Sequence, residues 1–557
     1  MTNTIRGIRD SDCMLITGSN TAENHPVISY EMIRAVKKGA SLIVVDPRAV
    51  PMTTHARLWL QPTPGTDVYI YLAMAHVILR EGWIDAGFIA ERTEGFAEIV
   101  EAVEAITPEV AALETGVPAE DIELAARLYA LGERVNGQSI FEDGRGHSGI
   151  FYAMGITQRS NGTDLVLALA NLAMLCGQVG KPSTGVNPLR GQANVQGACD
   201  VGGLPATLPG YVPVTDAAKR QDIASAWGAG DLPAVPGLTL VEMMHAAHDG
   251  RVRAMFCMGE NPILSDPNIT HVEEALRKLD LLVVQDIFFS DTAPLAHVIL
   301  PAASWLEKDG TFTNTERRVQ MLAPVLSSPG EARPDWQILC DLGVLLDKKL
   351  ERNETSAWDF PSTASVMQEI AKVTPIYRGI THRRLGSEGL FWPCTSETHP
   401  GTPILHLNGF SRGKGKFHAI RGQTSAELPD ADYPMILTTG RILYHFHTGT
   451  MTRRSEPLSW REPKGYAEVN EQDATRLGIR DGGPVLITSR RGQVRTQARV
   501  GKRVKPGVVF LSFHWREAPA NLLTQDHTLD PVAKIPEYKV TAVRIEAPGK
   551  AKKKVAD

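Results

Sequence analysis

The stretch from Gly185 to Asp200 has the residue types that bind a large polar ligand. It reads GVNPLRGQANVQGACD, with three glycines, one proline, a single cation at Arg190 and several amide side chains. Three glycines and a proline oppose regular helix and strand, so the stretch is predicted to be an irregular loop. A loop this rich in donors is typical of ligand binding. The alternative is a solvated linker, which would favour serine and charged residues. The amides are Asn187, Gln192, Asn194 and Gln196.

Arg190 is the candidate catalytic residue of this stretch. A guanidinium stays charged and can hold a carboxylate through two parallel hydrogen bonds. The alternative role is binding a cofactor phosphate, which needs the same charge. Either role predicts an anionic ligand at the loop.

The elements that must position this loop follow a strand–helix–strand pattern. Apolar runs at 13–18 and 41–45 flank a helix-like segment at 27–38, which predicts parallel strands. The pattern restarts after Leu238, with a strand predicted at 254–258 and others following it. From Asp432 onward, short runs alternate at spacing two, which predicts a small β-barrel. The predicted fold class is α/β, with two parallel-sheet αβα domains followed by a C-terminal β-barrel domain.

The predicted strands end in residues that suit nucleotide binding. In open parallel sheets, ligands bind outside the carboxyl ends of the strands. Glycine lets the backbone approach a phosphate, helix starts favour anions, and an acid such as Asp46 can accept from ribose hydroxyls. Each of these residues is also an ordinary turn residue. Their recurrence in two separate blocks indicates two nucleotide-like ligands. The one GxGxxG run, at 144–149, lies mostly in a predicted surface loop and does not open a predicted helix, so it does not suggest NAD.

The length, charge and cysteine content of the chain restrict the partners, metal sites and location that can be predicted for it. The chain has 557 residues, which is too long for one core, and its net charge of −5 gives no argument for a nucleic-acid partner. Its six cysteines include no CxxC, so no zinc or iron–sulfur site is identified, and no metal ligand is predicted. There is no apolar run of about 18 residues and no signal-peptide pattern. The predicted location is the cytoplasm, unless a preceding segment carries a signal.

The run NPLRGQANVQGACD, preceded by GQVGKPSTG, closely resembles the signature loop of molybdopterin-dependent formate dehydrogenase catalytic subunits. The resemblance continues to about Ile545. It implies a bis-(molybdopterin guanine dinucleotide) cofactor with molybdenum or tungsten. It also implies oxidation of formate to carbon dioxide with two electrons passed to an acceptor, and Arg190 as the residue that holds formate.

The resemblance further implies the cofactor-binding residues. Those for one dinucleotide are Gly18, Asn20, Glu23, Asp46, Arg48, Gly65 and Asp67. Those for the other are Gly259, Glu260, Asn261, Gln285 and Asp286. Gly155, Gln158, Gly191 and Gln192 are further cofactor contacts. The loop over the pterin supplies Arg441, His447, Thr448, Gly449 and Thr450, and the late contacts are Asn521, Tyr538 and Lys539. Without the resemblance, His445 and His447 would be a possible metal pair.

The predicted domains follow from the same reasoning. They are a first α/β dinucleotide domain at 1–190, a second at 191–330, a connector with helices at 331–428, the β-barrel domain at 429–547 and a disordered basic tail at 548–557.

Related enzymes carry an upstream segment with a [4Fe–4S] site and the cysteine or selenocysteine that ligates the metal. Neither can be placed here, so we expect the chain to be the C-terminal part of a longer subunit. Taken alone, this part would lack the metal ligand and the exit for electrons, either of which would make it inactive. Met1 would then follow a selenocysteine codon read as a stop. The alternative is a natural short paralogue, or a half that pairs with a separate N-terminal half. The expected partners are formate and electron-transfer subunits or that N-terminal segment, with no nucleic acid and no membrane span.

Three functional classes remain open. They are a formate dehydrogenase, another bis-pterin oxidoreductase of the nitrate reductase or arsenite oxidase type, and a non-catalytic molybdopterin-binding protein. The run VQGACD and Arg190 favour the first.

Overall fold

The computed structural model describes residues 1–137, 139–141, 146–351 and 355–548. The backbone forms two compact units, each built from more than one stretch of sequence. The first unit comprises Met1–Leu189, Asn261–Glu273 and Ile404–Asp557, and the second comprises Arg190–Glu260 and Glu274–Pro403. The predicted basic tail lies outside the described residues apart from Pro548. The predicted domain boundaries stay predictions.

The helices are short and are spread along both units. Among the described residues, those of six residues or more are α1 (Pro26–Lys37), α2 (Asp67–Arg80), α3 (Ala86–Arg92), α4 (Phe96–Val103), α5 (Pro108–Thr115), α6 (Ala119–Leu131), α7 (Gly162–Leu175), α8 (Val195–Asp200), α9 (Ala217–Trp227), α10 (Leu240–His248), α11 (Ile269–Arg277), α12 (Asp335–Lys349), α13 (Thr363–Val373), α14 (Glu456–Arg461) and α15 (Glu471–Leu477). No helix in these described ranges is long and apolar enough to cross a membrane.

A five-stranded parallel sheet forms the core of the first unit. Its strands are β1 (Cys13–Thr17), β2 (Ser41–Val45), β3 (Leu58–Leu60), β4 (Ser148–Tyr152) and β5 (Gly185–Pro188), in the order β3-β2-β1-β4-β5. In the central strand, Cys13 lies opposite both Ser41 and Ser148. Because all five strands are parallel, the loops after them lie at one edge of the sheet.

Helices cover both faces of this sheet. Leu15 of β1 packs in a cluster with residues of α2 and α7, whereas Met14 and Ile16 pack in a second cluster with residues of α1. Every residue of β1 is buried, as expected for a parallel strand covered on both faces. The predicted αβα arrangement is therefore confirmed.

The stretch from Gly185 to Asp200 is more regular than predicted. Gly185–Pro188 is a strand that pairs with β4 at the edge of the sheet, and Val195–Asp200 is a short helix. The prediction of an irregular loop was wrong at both ends. Proline is tolerated here because β5 is an edge strand. Asn194, with φ of 61°, precedes the helix in the left-handed conformation that asparagine accepts.

The second unit contains a smaller parallel sheet. Its strands are β6 (Ala254–Met258), β7 (Leu281–Asp286) and β8 (Val298–Pro301), in the order β8-β7-β6. A three-stranded antiparallel sheet of β9 (Gly310–Thr313), β10 (Arg318–Leu322) and β11 (Leu390–Phe391) lies in the same unit. This second sheet was not predicted from the sequence.

The predicted barrel is also confirmed. Six strands close it, namely β12 (Met435–Gly440), β13 (Tyr466–Asn470), β14 (Pro484–Thr488), β15 (Gln493–Gly501), β16 (Val508–Ser512) and β17 (Thr541–Glu546), in the order β12-β16-β13-β15-β14-β17. Leu437, Val485 and Val509 are among the fully buried side chains that fill it. The alternating pattern of these strands placed their apolar residues inside.

The loops after β1 and β4 touch backbone to backbone. Gly155 donates its N–H to the carbonyl of Gly18 at 3.0 Å. A Cβ on Gly155 would lie 2.5 Å from the Cα of Gly18, and a Cβ on Gly18 would lie 2.8 Å from the carbonyl carbon of Gly155. Only glycine therefore fits at this contact, which fixes two loops at the same edge of the sheet.

Gly155→Ala should lower the free energy of unfolding by roughly 1–3 kcal/mol, because the methyl group forces two backbones apart. Gly501→Ala is the matched control, since a Cβ there meets nothing within 4 Å. Chemical denaturation of both variants measures the effect. Equal stability of the two variants would contradict the close packing of these loops.

Candidate functional site

Most of the predicted cofactor residues lie in the first unit, in the loops after its parallel strands and around the barrel. They are Gly18, Asn20, Glu23, Asp46, Arg48, Gly65, Asp67, Gly155, Gln158, Asn261, Arg441, His447, Thr448, Gly449, Thr450, Asn521, Tyr538 and Lys539. The remaining predicted residues, Arg190, Gly191, Gln192, Gly259, Glu260, Gln285 and Asp286, lie in the second unit.

The loop after β1 carries a buried acceptor. The amide nitrogen of Asn20 donates to Glu23 Oε2 at 2.6 Å. The other end of the amide, Oδ1, is buried and has no hydrogen-bond partner among the described residues. A buried polar atom without a protein partner can be satisfied by a water or by a ligand. Asn20 Oδ1 is therefore able to accept a hydrogen bond from a bound molecule.

The loop after β2 holds a carboxyl group and an arginine with different environments. Asp46 is buried, and it accepts from the N–H of Arg48 at 3.0 Å. Burial raises the pKa of Asp46 to about 6. A carboxylate can accept from the hydroxyls of a ribose, and this contact of Asp46 stays a prediction.

The guanidinium of Arg48 is bound by the barrel. Its Nε and Nη2 donate to the two carboxylate oxygens of Glu468 at 2.6 and 2.7 Å. Glu468, on β13, also accepts from Arg503 at 2.8 Å, and Arg48 lies 3.9 Å from the ring centre of Phe510. Both members of this Arg48–Glu468 pair are buried. A direct contact of Arg48 with a cofactor stays a prediction, but in the structure its fork fastens the Asp46 loop to the barrel.

Asp67 begins α2 and, like Glu468, forms an ion pair with a buried arginine. It accepts from Arg159 Nη2 at 2.7 Å, and Arg159 Nε lies 3.4 Å from Glu537. Arg159 is buried and was not predicted as a site residue. Gly65 nearby in sequence has φ of 102°, where other residues are strained, and a Cβ there would lie 2.7 Å from Ser425 Oγ. These contacts set the position of the first turn of α2.

Lys539 is a buried cation with few partners. Its ammonium donates to the carbonyl of Thr439 at 2.9 Å, which is its one hydrogen bond among the described residues. Burial and the nearby charges of Arg441 and Arg159 lower the pKa of Lys539 to about 7, and Asp46 opposes this. An ammonium has three donors. Two are therefore available to an anion, which would favour the charged form.

The loop from Arg441 to Thr450 adds neutral imidazoles to this region. Burial, and then the charge of Arg441, lowers the pKa of His447 to about 4. The same causes lower the pKa of His25 to about 4, a residue that sequence reasoning missed. Both rings are neutral at physiological pH and can donate or accept without adding charge. Thr448 and Thr450 share a hydrogen bond of 2.9 Å between their hydroxyls, and Gly449 lies between them with φ of 75°.

The possible metal pair at His445 and His447 is not favoured by the geometry. Both ring nitrogens of His445 lie within hydrogen-bond distance of protein, with Nε2 2.8 Å from the carbonyl of Glu462 and Nδ1 3.2 Å from Thr452 Oγ1. A metal ligand needs one ring nitrogen available.

Two of the predicted cofactor residues near the C-terminus, Asn521 and Tyr538, bind the segment Asn261–Glu273 of the first unit. Asn521 donates to the carbonyls of Leu264 and Ser265, each at 2.9 Å, and the hydroxyl of Tyr538 also donates to Ser265 at 3.1 Å. Asn261, at the start of this segment, donates to Thr450 at 3.4 Å. The backbone N–H of Tyr538 bonds to the carbonyl of Gln158 at 3.2 Å. These residues therefore position one another.

In the second unit, Arg190 is held at one edge of its guanidinium. Its Nε donates to Gln196 Oε1 at 3.3 Å, and its backbone N–H donates to Thr315 Oγ1 at 3.2 Å. Within the described ranges, Nη1 and Nη2 make no hydrogen bond to protein. Gly191 is half-buried and Gln192 is exposed. The terminal N–H groups can therefore donate to a bound anion.

A second set of predicted residues lies after β6 and β7. Gly259, with φ of 64°, donates its N–H to the carbonyl of Gln285 at 2.8 Å, and Glu260 follows it as an exposed residue. Gln285 donates to Asp335 at 2.7 Å, while its Oε1 is buried without a partner among the described residues. Asp286 accepts from the N–H of Ile287 at 2.7 Å. This unit thus repeats the feature of the first, a buried acceptor at a strand end.

Two protein-family models match the chain. The model described as Molybdopterin oxidoreductase matches residues 1–344, and the model described as Molydopterin dinucleotide binding domain matches residues 435–542, which include most of the barrel. Asn20 Oδ1 and the ammonium of Lys539 in the first unit, and separately Gln285 Oε1 in the second unit, are buried polar groups with hydrogen-bonding capacity that such a dinucleotide can use.

Individual proteins match over nearly the whole chain. F420-dependent formate dehydrogenase subunit alpha of Methanocaldococcus jannaschii is 47% identical, over 98% of this chain and 78% of its own length. F420-dependent formate dehydrogenase 1 subunit alpha of Methanococcus maripaludis is 46% identical over the same shares. The solved structure of acetylene hydratase from Pelobacter acetylenicus is 18% identical and matches 98% of this chain and 80% of its own with a TM-score of 0.73. The last match supports the fold.

Glu468→Gln should lower the free energy of unfolding by about 3 kcal/mol, because it leaves the buried guanidinium of Arg48 without a charged partner. Glu94→Gln is the matched control, since Glu94 pairs with Arg412 where both side chains are about half exposed. That loss should stay below about 1 kcal/mol. Denaturant unfolding of each variant gives the values. Equal losses would contradict a structural role for the buried pair.

Lys539→Met should change the pH dependence of stability. The pKa of Lys539, about 7, lies below its ordinary value of 10.5, so between these pH values the unfolded chain binds a proton that the folded chain lacks. The stability of the unsubstituted chain therefore rises with pH across this window. The variant should be more stable by on the order of a few kcal/mol at pH 7, with a difference that shrinks toward pH 10.

Denaturant unfolding of the cofactor-free full chain between pH 6 and pH 10 measures this difference. Lys502→Met, at a mostly exposed lysine, reports the general effect of losing one positive charge. A difference between Lys539→Met and the unsubstituted chain that does not change with pH would contradict the buried, neutralised lysine.

Proposed function

Since the chain belongs to the molybdopterin oxidoreductase family, we propose that it is the catalytic part of a formate dehydrogenase. It would oxidise formate to carbon dioxide at a bis-(molybdopterin guanine dinucleotide) centre. The relatives with 46–47% identity are named as formate dehydrogenases, which supports this activity over that of other members of the family.

The observation that carries the proposal is the guanidinium of Arg190. One edge is fixed by Gln196, and the described residues leave both terminal nitrogens without a hydrogen bond to protein. Two parallel N–H groups match the two oxygens of a carboxylate. Formate is the smallest carboxylate, so this fork would hold nearly the whole molecule and fix the direction of its C–H bond.

The reaction removes one proton and two electrons from formate and leaves carbon dioxide. When bound, the metal centre would supply the acceptor for the two electrons. Arg190 would bind and orient formate by attracting the negative charge of its carboxylate group. Carbon dioxide carries no charge and cannot keep these charge-assisted bonds, so the same residue that binds the substrate favours release of the product.

The remaining predicted residues would hold the dinucleotides. In the first unit, Asn20 Oδ1 would accept from one dinucleotide, Asp46 would accept from a ribose, and Lys539 would donate to an anionic group. In the second unit, Gly259 would let the backbone approach a phosphate, and Gln285 Oε1 and Asp286 would accept from the other dinucleotide. We also propose electron-transfer subunits as partners and a cytoplasmic location.

Arg190→Lys should raise the KM for formate at least tenfold, about 1.4 kcal/mol, because lysine keeps the charge and loses the planar fork. The pterin content should stay unchanged. Formate oxidation with a dye acceptor by the complete cofactor-loaded enzyme, including the upstream segment that is expected to carry the metal ligand, measures the effect. Arg251→Lys, at an exposed arginine, is the matched control.

Activity that falls only in proportion to lost cofactor would mean that Arg190 is a phosphate ligand. A parallel assay with nitrate tests the alternative class. Turnover of nitrate and not of formate by the unsubstituted enzyme would overturn the proposed substrate.

A further inference from the structure

A chain of hydrogen bonds in the second unit leads from Arg190 to a fully buried carboxylate. Arg190 Nε donates to Gln196 Oε1 at 3.3 Å, and Gln196 Nε2 donates to Asp200 Oδ1 at 2.8 Å. Gln196 and Asp200 are four residues apart on α8, so their side chains lie on the same face of the helix. The run VQGACD therefore places an amide directly between a carboxylate and a guanidinium.

Asp200 is held on both of its oxygens. The hydroxyl of Tyr211 donates to Oδ1 at 2.7 Å, and the hydroxyl of Tyr377 donates to Oδ2 at 2.7 Å. Tyr377 also lies 2.8 Å from Thr313 Oγ1, which ties the arrangement to β9. Burial raises the pKa of Asp200, and the hydrogen bonds from Tyr211, Tyr377 and Gln196 oppose that rise. The carboxylate is thus a fixed acceptor inside the unit.

This acceptor decides which way the amide of Gln196 points. An ionised carboxylate accepts only, whereas an amide has a donor end and an acceptor end. The NH₂ end must face Asp200, so the oxygen must face Arg190. The reversed amide would set its NH₂ against the N–H of Arg190 and its oxygen against the carboxylate, and both hydrogen bonds would be lost. Asp200 therefore determines, through Gln196, whether Arg190 finds an acceptor.

We propose that Gln196 and Asp200 are positioning residues that hold the guanidinium of Arg190 ready to bind a carboxylate substrate. This inference rests on the proposed function for the identity of that substrate. Arginine has a long side chain with considerable rotamer freedom, so fixing its Nε edge before binding removes part of the cost of ordering it. The effect falls on substrate binding more than on the rate at saturation.

The test uses Gln196→Met, Asp200→Asn and the double variant in the complete cofactor-loaded enzyme, including the upstream segment that is expected to carry the metal ligand. Methionine has a similar length to glutamine and cannot accept from Arg190. Asparagine keeps the shape of Asp200 and presents a donor as well, so the amide of Gln196 can reverse. Each single variant should raise the KM for formate about tenfold, with kcat changed less than threefold. Gln221→Met, at an exposed glutamine of α9, is the matched control.

The double variant separates this arrangement from a general structural role. Because Asp200 acts through Gln196, the double variant should raise the KM no further than Gln196→Met alone. Additive increases would overturn the proposal. A rise in KM that is accompanied by equal losses of cofactor and thermal stability would also overturn it, since it would then reflect unfolding of the loop.

A second measurement does not depend on turnover. Phenylglyoxal labels arginine side chains, and mass spectrometry gives the labelling rate of the peptide that contains Arg190. Both single variants should label at Arg190 at least threefold faster than the unsubstituted enzyme, and Gln221→Met should not. An enzyme that fails to oxidise formate but keeps this labelling pattern would refute the proposed substrate and support the positioning role. Unchanged labelling in Asp200→Asn would refute the positioning role.

Discussion

The first unit depends on a buried ion pair between residues that are far apart in the chain. Arg48 follows the second strand of the parallel sheet, and Glu468 lies on β13 of the barrel, with both side chains almost fully buried. Removing two charges from water is costly, and the pair recovers this only because its two hydrogen bonds are short and parallel. Within this unit, the pair fixes the loop that carries Asp46 against the barrel strand that carries Glu468. The hydrogen bond from Lys539 to the carbonyl of Thr439, on β12, lies in the same unit.

The charges around Lys539 explain why this region is suited to an anion. Burial, followed by the charges of Arg441 and Arg159, lowers the pKa of Lys539, and burial, followed by the charge of Arg441, lowers the pKa values of His25 and His447. Without a ligand, the region limits its own positive charge by releasing protons from these groups. A bound phosphate would reverse this effect and favour the charged lysine. Binding of an anionic dinucleotide would therefore be coupled to proton uptake, and its affinity would fall as the pH rises above 7.

The sequence predicted features that depend on local patterns, and it missed those that depend on distant partners. The apolar runs and their terminal glycines located the parallel strands, and the alternation after Asp432 located the barrel, because both signals lie within a few residues. The role of Arg48 could not be read locally, since its partner is 420 residues away. Arg159, His25 and Tyr377 were missed for the same reason. The strand β5 was missed because glycine and proline oppose strands in general and are tolerated at an edge.

The proposed role of Arg190 accounts for the amide of Gln196 beside it. A glutamate at position 196 would also accept from Nε, but its negative charge would neutralise the guanidinium and compete with a carboxylate substrate. The oxygen of Gln196 fixes the same edge without charge, so the full positive charge remains for the ligand. The carboxylate of Asp200 would orient this oxygen and lies one hydrogen bond further from Arg190. It accepts hydrogen bonds from Gln196, Tyr211 and Tyr377, which share its negative charge. Separating orientation from charge in this way would leave Arg190 both fixed in direction and strongly attractive to the carboxylate that we propose as its substrate.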